Sequence, residues 1–130
     1  MEKLVSVAIV NWNGEKYLYK CIKSLLEQNY KNIEVIIIDN DSTDNSVKII
    51  EDNFKEDVIL FKNNGYAGGA NKGIELSKGD YVIIANPDIV FGENYIEKCI
   101  KKFEEDATIG AVTGKLLKYD FDTDKKLNVI

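Results

Sequence analysis

Runs of consecutive aliphatic residues alternate along this chain with stretches in which apolar residues recur every three or four positions. Val5-Ser6-Val7-Ala8-Ile9-Val10 is largely β-branched and stops at Asn11-Trp12-Asn13-Gly14, which predicts a buried strand and its turn. Leu18, Cys21, Ile22, Leu25 and Leu26 then fall at helical spacing, with Glu15, Lys16, Lys20, Lys23 and Glu27 on the other side, as in an amphipathic helix. Glu34-Val35-Ile36-Ile37-Ile38-Asp39 is a second apolar run. Ser42, Thr43, Asp44 and Asn45 offer capping groups ahead of a helix carrying Val47, Ile50 and Phe54. A third short strand is predicted at Val58-Ile59-Leu60-Phe61, then the glycine-rich Asn64 to Gly69 and a helix through Ile74 and Leu76. Tyr81-Val82-Ile83-Ile84-Ala85 is a fourth strand, ended by Asn86-Pro87-Asp88, where the only proline removes a backbone donor. Ile96, Cys99, Ile100 and Phe103 mark another helix, Ala111 to Leu117 a fifth strand, and Lys118 to Lys126 a polar loop.

This alternation predicts an α/β fold, an open and mostly parallel sheet with helices on both faces. Such sheets bind ligands beyond the carboxyl ends of their strands. Asn11, Asp39 and Asn86 to Asp88 all fall at such ends, so three separate segments bring polar groups to one rim. No internal repeat, low-complexity tract or linker divides the 130 residues, and residues 1–130 are expected to form a single domain part. Leu127-Asn128-Val129-Ile130 resembles a strand beginning, which suggests a truncated parent. An unfinished sheet edge would favour association, a homo-oligomer included.

Composition narrows the chemistry. There are 17 basic residues, all lysine, against 22 acidic ones; the net charge of -5 argues against a nucleic-acid partner. Histidine is absent, which excludes an imidazole base, an imidazole metal ligand and a Ser-His-Asp triad within this chain. Cys21 and Cys99 sit on the apolar sides of their helices and read as free thiols of a cytoplasmic protein. The first residues lack the zones of a signal peptide, and no apolar run reaches membrane-spanning length.

Two readings of Asp39 stand side by side: a carboxylate accepting hydrogen bonds from a nucleoside, or a cap for the loop carrying Asn40, Asp41 and Ser42. Asp41 and Asp44 read as loop and helix-start residues. Asn86 and Asp88 supply the oxygen donors that Mg²⁺ or Mn²⁺ prefers, although the same tripeptide also describes a plain proline turn. The glycines at 65, 68, 69 and 73 fit neither the dinucleotide fingerprint nor a Walker A loop. Trp12 adjoins the rim, where it stacks on a base or covers the core. A phosphoacceptor receiver domain needs an acid pair after its first strand, and the chain has Asn11 and Asn13 there.

Four ordered motifs carry a family resemblance: Ile9 to Gly14, Ile38 to Asp44, Asn63 to Gly73, and Ala85 to Asp88. Together they resemble the N-terminal half of family 2 glycosyltransferases with the GT-A fold, the Rossmann-like nucleotide-diphospho-sugar transferase architecture. Within the family they look most like the rhamnosyltransferase-type branch, which carries Asn-Pro-Asp where many relatives carry Asp-x-Asp. The resemblance implies nucleotide binding by Asn11, Trp12, Asn13, Asp39, Asn71 and Asn86, and Mg²⁺ or Mn²⁺ held by Asp88. Ala70 stands where many relatives have an arginine. It further implies inverting transfer from a UDP- or dTDP-linked sugar to a saccharide or lipid-linked acceptor in cell-surface polysaccharide synthesis. The catalytic base is expected beyond residue 130, and the setting is the cytoplasmic side of a membrane. A noncatalytic module that binds a nucleotide sugar or a partner is the alternative.

Overall fold

The computed structural model describes residues 2–63, 68–114, 118–123 and 125–127. Elements follow in the order β1 (Val5–Asn11), α1 (Glu15–Leu26), β2 (Ile33–Asn40), α2 (Ser46–Asn53), β3 (Ile59–Asn63), α3 (Gly69–Leu76), β4 (Tyr81–Ala85) and α4 (Tyr95–Glu105). A small hairpin of β5 (Lys118–Asp120) and β6 (Lys125–Leu127) comes last. The four long strands form one sheet in the order β3-β2-β1-β4, and every pairing in it is parallel. The predicted open α/β sheet is therefore what forms.

Alternation along the strands divides the core into two layers. Val5, Val7, Ile9, Val35 and Ile37 face α1, α2 and α4, where Leu18, Cys21, Ile22, Leu25, Ile50, Ile96 and Ile100 close a buried cluster. The opposite face carries Ala8 and Ile38, and α3 lies over them so closely that a Cβ on Gly73 would stand 2.7 Å from the Ala8 Cβ. β1 and β2 are buried on both faces, which is why they read as unbroken aliphatic runs.

Chain direction through the sheet fixes where a ligand site falls. β1, β2 and β3 step outward one after another, and β4 then returns to the free side of β1. The reversal leaves a crevice between the carboxyl ends of β1 and β4, where Asn11 to Gly14 and Asn86 to Asp88 emerge.

Two sequence expectations need correction. Ala111 to Gly114 form no strand, and residues 115–117 of the expected fifth strand lie outside the described residues. Ile109 to Thr113 instead line a cleft together with residues of β4 and α4. The stretch expected as a loop holds the β5–β6 hairpin, antiparallel with Tyr119 opposite Lys126. Aromatic contacts explain it: the Phe121 ring meets Tyr119 and the Tyr17 ring of α1 edge-on, and Lys20 donates to the Phe121 carbonyl. The Asp120 carboxylate accepts from the amides of Asp122 and Thr123 and shapes the turn. Charged residues conceal this hairpin because tertiary contacts, not its own polarity pattern, hold it. Leu127 ends β6, and the rest of the expected terminal strand lies outside the described residues.

Candidate functional site

Parallel register brings Asn11, the last residue of β1, opposite Asp39 near the end of β2. Asn11 Nδ2 donates to Asp39 Oδ1 at 2.9 Å and to Ser42 Oγ at 3.3 Å. The Ser42 hydroxyl donates to Asp39 Oδ1 at 2.7 Å, and its backbone N–H donates to Asp39 Oδ2 at 3.0 Å. Asp39 is only 2% exposed, so its charge is held by hydrogen bonds instead of bulk water. One residue further along the rim, Asn63 of β3 donates to the Asn40 side-chain carbonyl at 2.9 Å. Side-chain bonds thus tie the end of β2 to β1 through Asp39 and to β3 through Asn40.

The loops above these strand ends are tied together by their own polar groups. Asn13 takes a left-handed backbone, φ 50°, and Asp41 does the same at φ 60°, a conformation these short polar residues tolerate. Asn13 donates its N–H to Ser42 Oγ at 2.9 Å, and its side-chain carbonyl accepts from Thr43 N–H at 2.8 Å. Asp44 accepts from the Glu15 N–H at 3.0 Å and the Ser46 N–H at 2.9 Å, while Glu15 accepts from the Asn45 N–H at 3.3 Å. The starts of α1 and α2 therefore cap each other. Partial burial raises the Asp44 pKa, but bonds from Ser46 and the Glu15 amide outweigh it and leave the carboxyl below its ordinary value. The structural role expected for Asp44 is the one it plays.

The turn after β4 meets this cluster at Gly14. A Cβ there would lie 2.3 Å from Asn11 Oδ1 and 2.9 Å from Pro87 Cγ, so only glycine lets the start of α1, the end of β1 and the Pro87 ring come together. Two buried polar residues, Ser24 of α1 and Gln28 just past its end, then anchor the segment that follows. Ser24 Oγ accepts from the Phe91 N–H at 3.0 Å, Gln28 Nε2 donates to the Gly92 carbonyl at 2.6 Å, and Gln28 Oε1 accepts from Ile96 N–H at 3.1 Å in the first turn of α4. Cys21 lies beneath the turn; burial and the Asp88 charge push its thiol up to about 12, so it stays protonated and inert. Both cysteines are free thiols, as expected.

Asp88 and Asn86 are exposed on this turn, and among the described residues no side-chain or backbone donor bonds the Asp88 carboxylate. No group of three or more acidic or sulfur ligands occurs among the described residues, so a protein-only cage is not available. One open carboxylate with a neighbouring amide fits Mg²⁺ or Mn²⁺ nonetheless, because such ions draw remaining ligands from phosphate and water. The acidic rim formed by Asp39, Asp41, Asp44 and Glu15 would repel a diphosphate unless a cation intervened.

Of the residues singled out from sequence, Asn11, Asn13 and Asp39 are joined in one hydrogen-bonded cluster, with the Asn86 to Asp88 turn packed alongside through Pro87. The capping reading of Asp39 describes its bonds to the Ser42 backbone and hydroxyl, and leaves a ligand-binding role compatible with it. Trp12 is 50% exposed beside the cluster. Asn71 is exposed in the first turn of α3, and no bond joins it to the others. Ser42, Asn40, Asn63, Ser24 and Gln28 escaped sequence reasoning; only the register of parallel strands and the packing of α1 reveal them. A cleft of about 510 Å³ lies elsewhere, between β4, α4 and residues 109–113, and is lined by none of the residues singled out as the rim site.

Comparison with known proteins gives the family and the fold. The sequence profile of glycosyl transferase family 2 matches residues 6–128. Glycosyltransferase GlyG of Streptococcus pneumoniae serotype 4 is 38% identical over 126 residues, covering 92% of this chain and 41% of the relative. The Escherichia coli UDP-Glc:alpha-D-GlcNAc-diphosphoundecaprenol beta-1,3-glucosyltransferase WfaP is 32% identical over 122 residues, covering 92% of this chain and 49% of that protein. The chain thus spans about two fifths to one half of these relatives. In fold it is similar to the mannosyltransferase PcManGT of Pyrobaculum calidifontis, solved with GDP-Man and Mn²⁺, at a TM-score of 0.74 and 20% identity over 85% of this chain and 34% of that one. It is similar also to S. aureus TarS 1-349 in complex with UDP, at a TM-score of 0.70 and 21% identity over 78% of this chain and 32% of that one.

Proposed function

The chain belongs to glycosyl transferase family 2, and from that premise we propose that it is the donor-binding part of an inverting glycosyltransferase. The observation that carries this is the bonded cluster of Asn11, Asp39, Ser42 and Asn13 at the strand-order reversal, facing the exposed Asn86-Pro87-Asp88 turn. Asn11, Asn13 and Asp39 receive the nucleoside, Trp12 stacks on its base, and Asn71 and Asn86 border the donor. Asp88 holds Mg²⁺ or Mn²⁺. That ion, when bound, offsets the charge of the departing diphosphate. What the protein's own groups do is fix the nucleotide and aim its diphosphate at the Asp88 turn, so that an acceptor hydroxyl attacks the anomeric carbon from the opposite side.

The donor is proposed to be a UDP- or dTDP-linked sugar and the acceptor a saccharide or lipid-linked saccharide of cell-surface polysaccharide synthesis. The printed name of the E. coli relative, which pairs UDP-Glc with a diphosphoundecaprenol acceptor, supports that class. Asn-Pro-Asp at 86–88 supports a rhamnosyltransferase-like branch. Work at the cytoplasmic face of a membrane fits the same substrates, and no helix among the described residues is long and apolar enough to cross one. The general base is proposed to be supplied from outside residues 1–130, so this chain alone binds donor without transferring sugar.

Calorimetric titration with UDP and dTDP, each with and without Mg²⁺ or Mn²⁺, tests the proposal. Metal-dependent binding that Asp88→Ala abolishes and Asp39→Ala weakens is expected. Absence of binding by the folded chain, or sugar transfer by residues 1–130 alone, contradicts it.

A further inference from the structure

Ser42 uses every hydrogen-bonding valence it has on the residues of this rim. A hydroxyl offers one donor and two acceptor positions. The donor goes to Asp39 Oδ1 at 2.7 Å; the acceptors take Asn13 N–H at 2.9 Å and Asn11 Nδ2 at 3.3 Å. Its backbone N–H adds the bond to Asp39 Oδ2 at 3.0 Å. One residue from the β2 loop thereby joins the end of β1, the turn before α1 and both oxygens of the Asp39 carboxylate.

The orientation of Asn11 follows. Its amide nitrogen faces two acceptors, so a flipped amide would set Oδ1 against the carboxylate; Oδ1 instead points away, buried and without a partner among the described residues. Lone pairs then decide what Asp39 has left to offer. An ionised carboxylate has about four acceptor positions. Asn11 Nδ2 and Ser42 Oγ occupy those of Oδ1, and the Ser42 amide occupies one on Oδ2. A single acceptor position on Oδ2 remains.

We infer that Ser42 is the positioning residue of the donor pocket, turning Asp39 so that only one Oδ2 position stays open to an N–H or O–H donor of the nucleoside. This rests on the donor-site reading given above. Because Ser42 acts chiefly through Asp39, its removal matters less once Asp39 is absent; what is left runs through its bonds to Asn11 and Asn13.

The test is a double-mutant cycle on UDP affinity in the presence of Mg²⁺, read by calorimetry, with thermal melts recording that each variant is folded. Ser42→Ala is expected to weaken UDP binding about tenfold, the loss of charge-assisted bonds that fix the acceptor. Ser42→Thr, which keeps the hydroxyl, is expected to restore it. In an Asp39→Ala background, Ser42→Ala is expected to cost clearly less than it does in the wild type. Ser42→Cys keeps the bulk but weakens the hydroxyl's bonds and gives the same reading should Ser42→Ala fail to fold. Wild-type affinity in Ser42→Ala, or losses that multiply in the double variant, overturns the inference while leaving the donor site standing. A folded wild-type chain that binds no UDP removes the donor-site reading itself, and this inference with it.

Discussion

Gly14→Ala probes the junction on which the site depends. The added Cβ would stand 2.3 Å from Asn11 Oδ1, 2.9 Å from Pro87 Cγ and 3.3 Å from Pro87 Cβ. Asn11 cannot swing aside without losing its bonds to Asp39 and Ser42, and the Pro87 ring has few conformations of its own. Overpacking of this kind costs about 1–3 kcal/mol. Alanine is also a poorer helix N-cap than glycine by roughly 0.5–1 kcal/mol, a loss that the stiffer unfolded chain offsets by about the same amount. A net loss of about 1–3 kcal/mol remains, and at roughly 4 °C per kcal/mol for a chain of this size the melting temperature falls by about 4–12 °C. Gly92→Ala is the control, because a Cβ there meets nothing within 4 Å; its effect is expected within about 0.5 kcal/mol. Urea and thermal unfolding followed by circular dichroism measure both. Wild-type stability in Gly14→Ala, or equal losses in the two variants, refutes the junction.

Other perturbations separate the remaining parts of the account. Asp44→Ala removes the acceptor shared by the Glu15 and Ser46 amides and is expected to cost about 1–2 kcal/mol near neutral pH in urea unfolding. Since the folded-state pKa of Asp44 lies below its ordinary 3.8, that contribution is fully present above 3.8 and is lost as pH falls through the lower folded value; the gap between wild type and variant should close in acid. Burial raises both thiols, so the native chain is expected to react sluggishly with thiol reagents at pH 8, with Cys21 labelled only after unfolding. Gln28→Ala leaves the Ile96 amide without its partner and the Gly92 carbonyl with the Tyr95 amide alone, and should destabilise by about 1–3 kcal/mol. If the segment after Asp88 depends on this anchor, the variant also loses Mg²⁺-dependent nucleotide affinity.

Much of the sheet was legible because β1 and β2 are buried on both faces and leave unbroken aliphatic runs, while α1 shows one apolar side and one lysine-rich side. The reach of β3 to Asn63 was less visible. Lys62 and Asn63 belong to the strand by pairing with Asp39 and Asn40, not by hydrophobicity. The β5–β6 hairpin was concealed for a related reason: Phe121 settles against Tyr17, a contact more than a hundred positions distant in sequence. At the rim, residue type and position at strand ends marked Asn11 and Asp39, whereas Ser42 appeared only as a capping residue ahead of α2. Its link to Asn13 and Asn11 depends on how closely parallel strands bring their loops, which no local pattern encodes.

Amide shifts in ¹H–¹⁵N spectra, recorded while UDP is added to the ¹⁵N-labelled chain with Mg²⁺ and again without it, place the ligand residue by residue. The account expects metal-dependent shifts at Asn11 to Gly14, Asp39 to Ser42, and the Asn86 and Asp88 amides, with β4 and α4 unchanged around Val82, Ile84 and Phe103. Shifts confined to that β4–α4 cleft, or none anywhere at saturating nucleotide, contradict a donor site at the strand-order reversal.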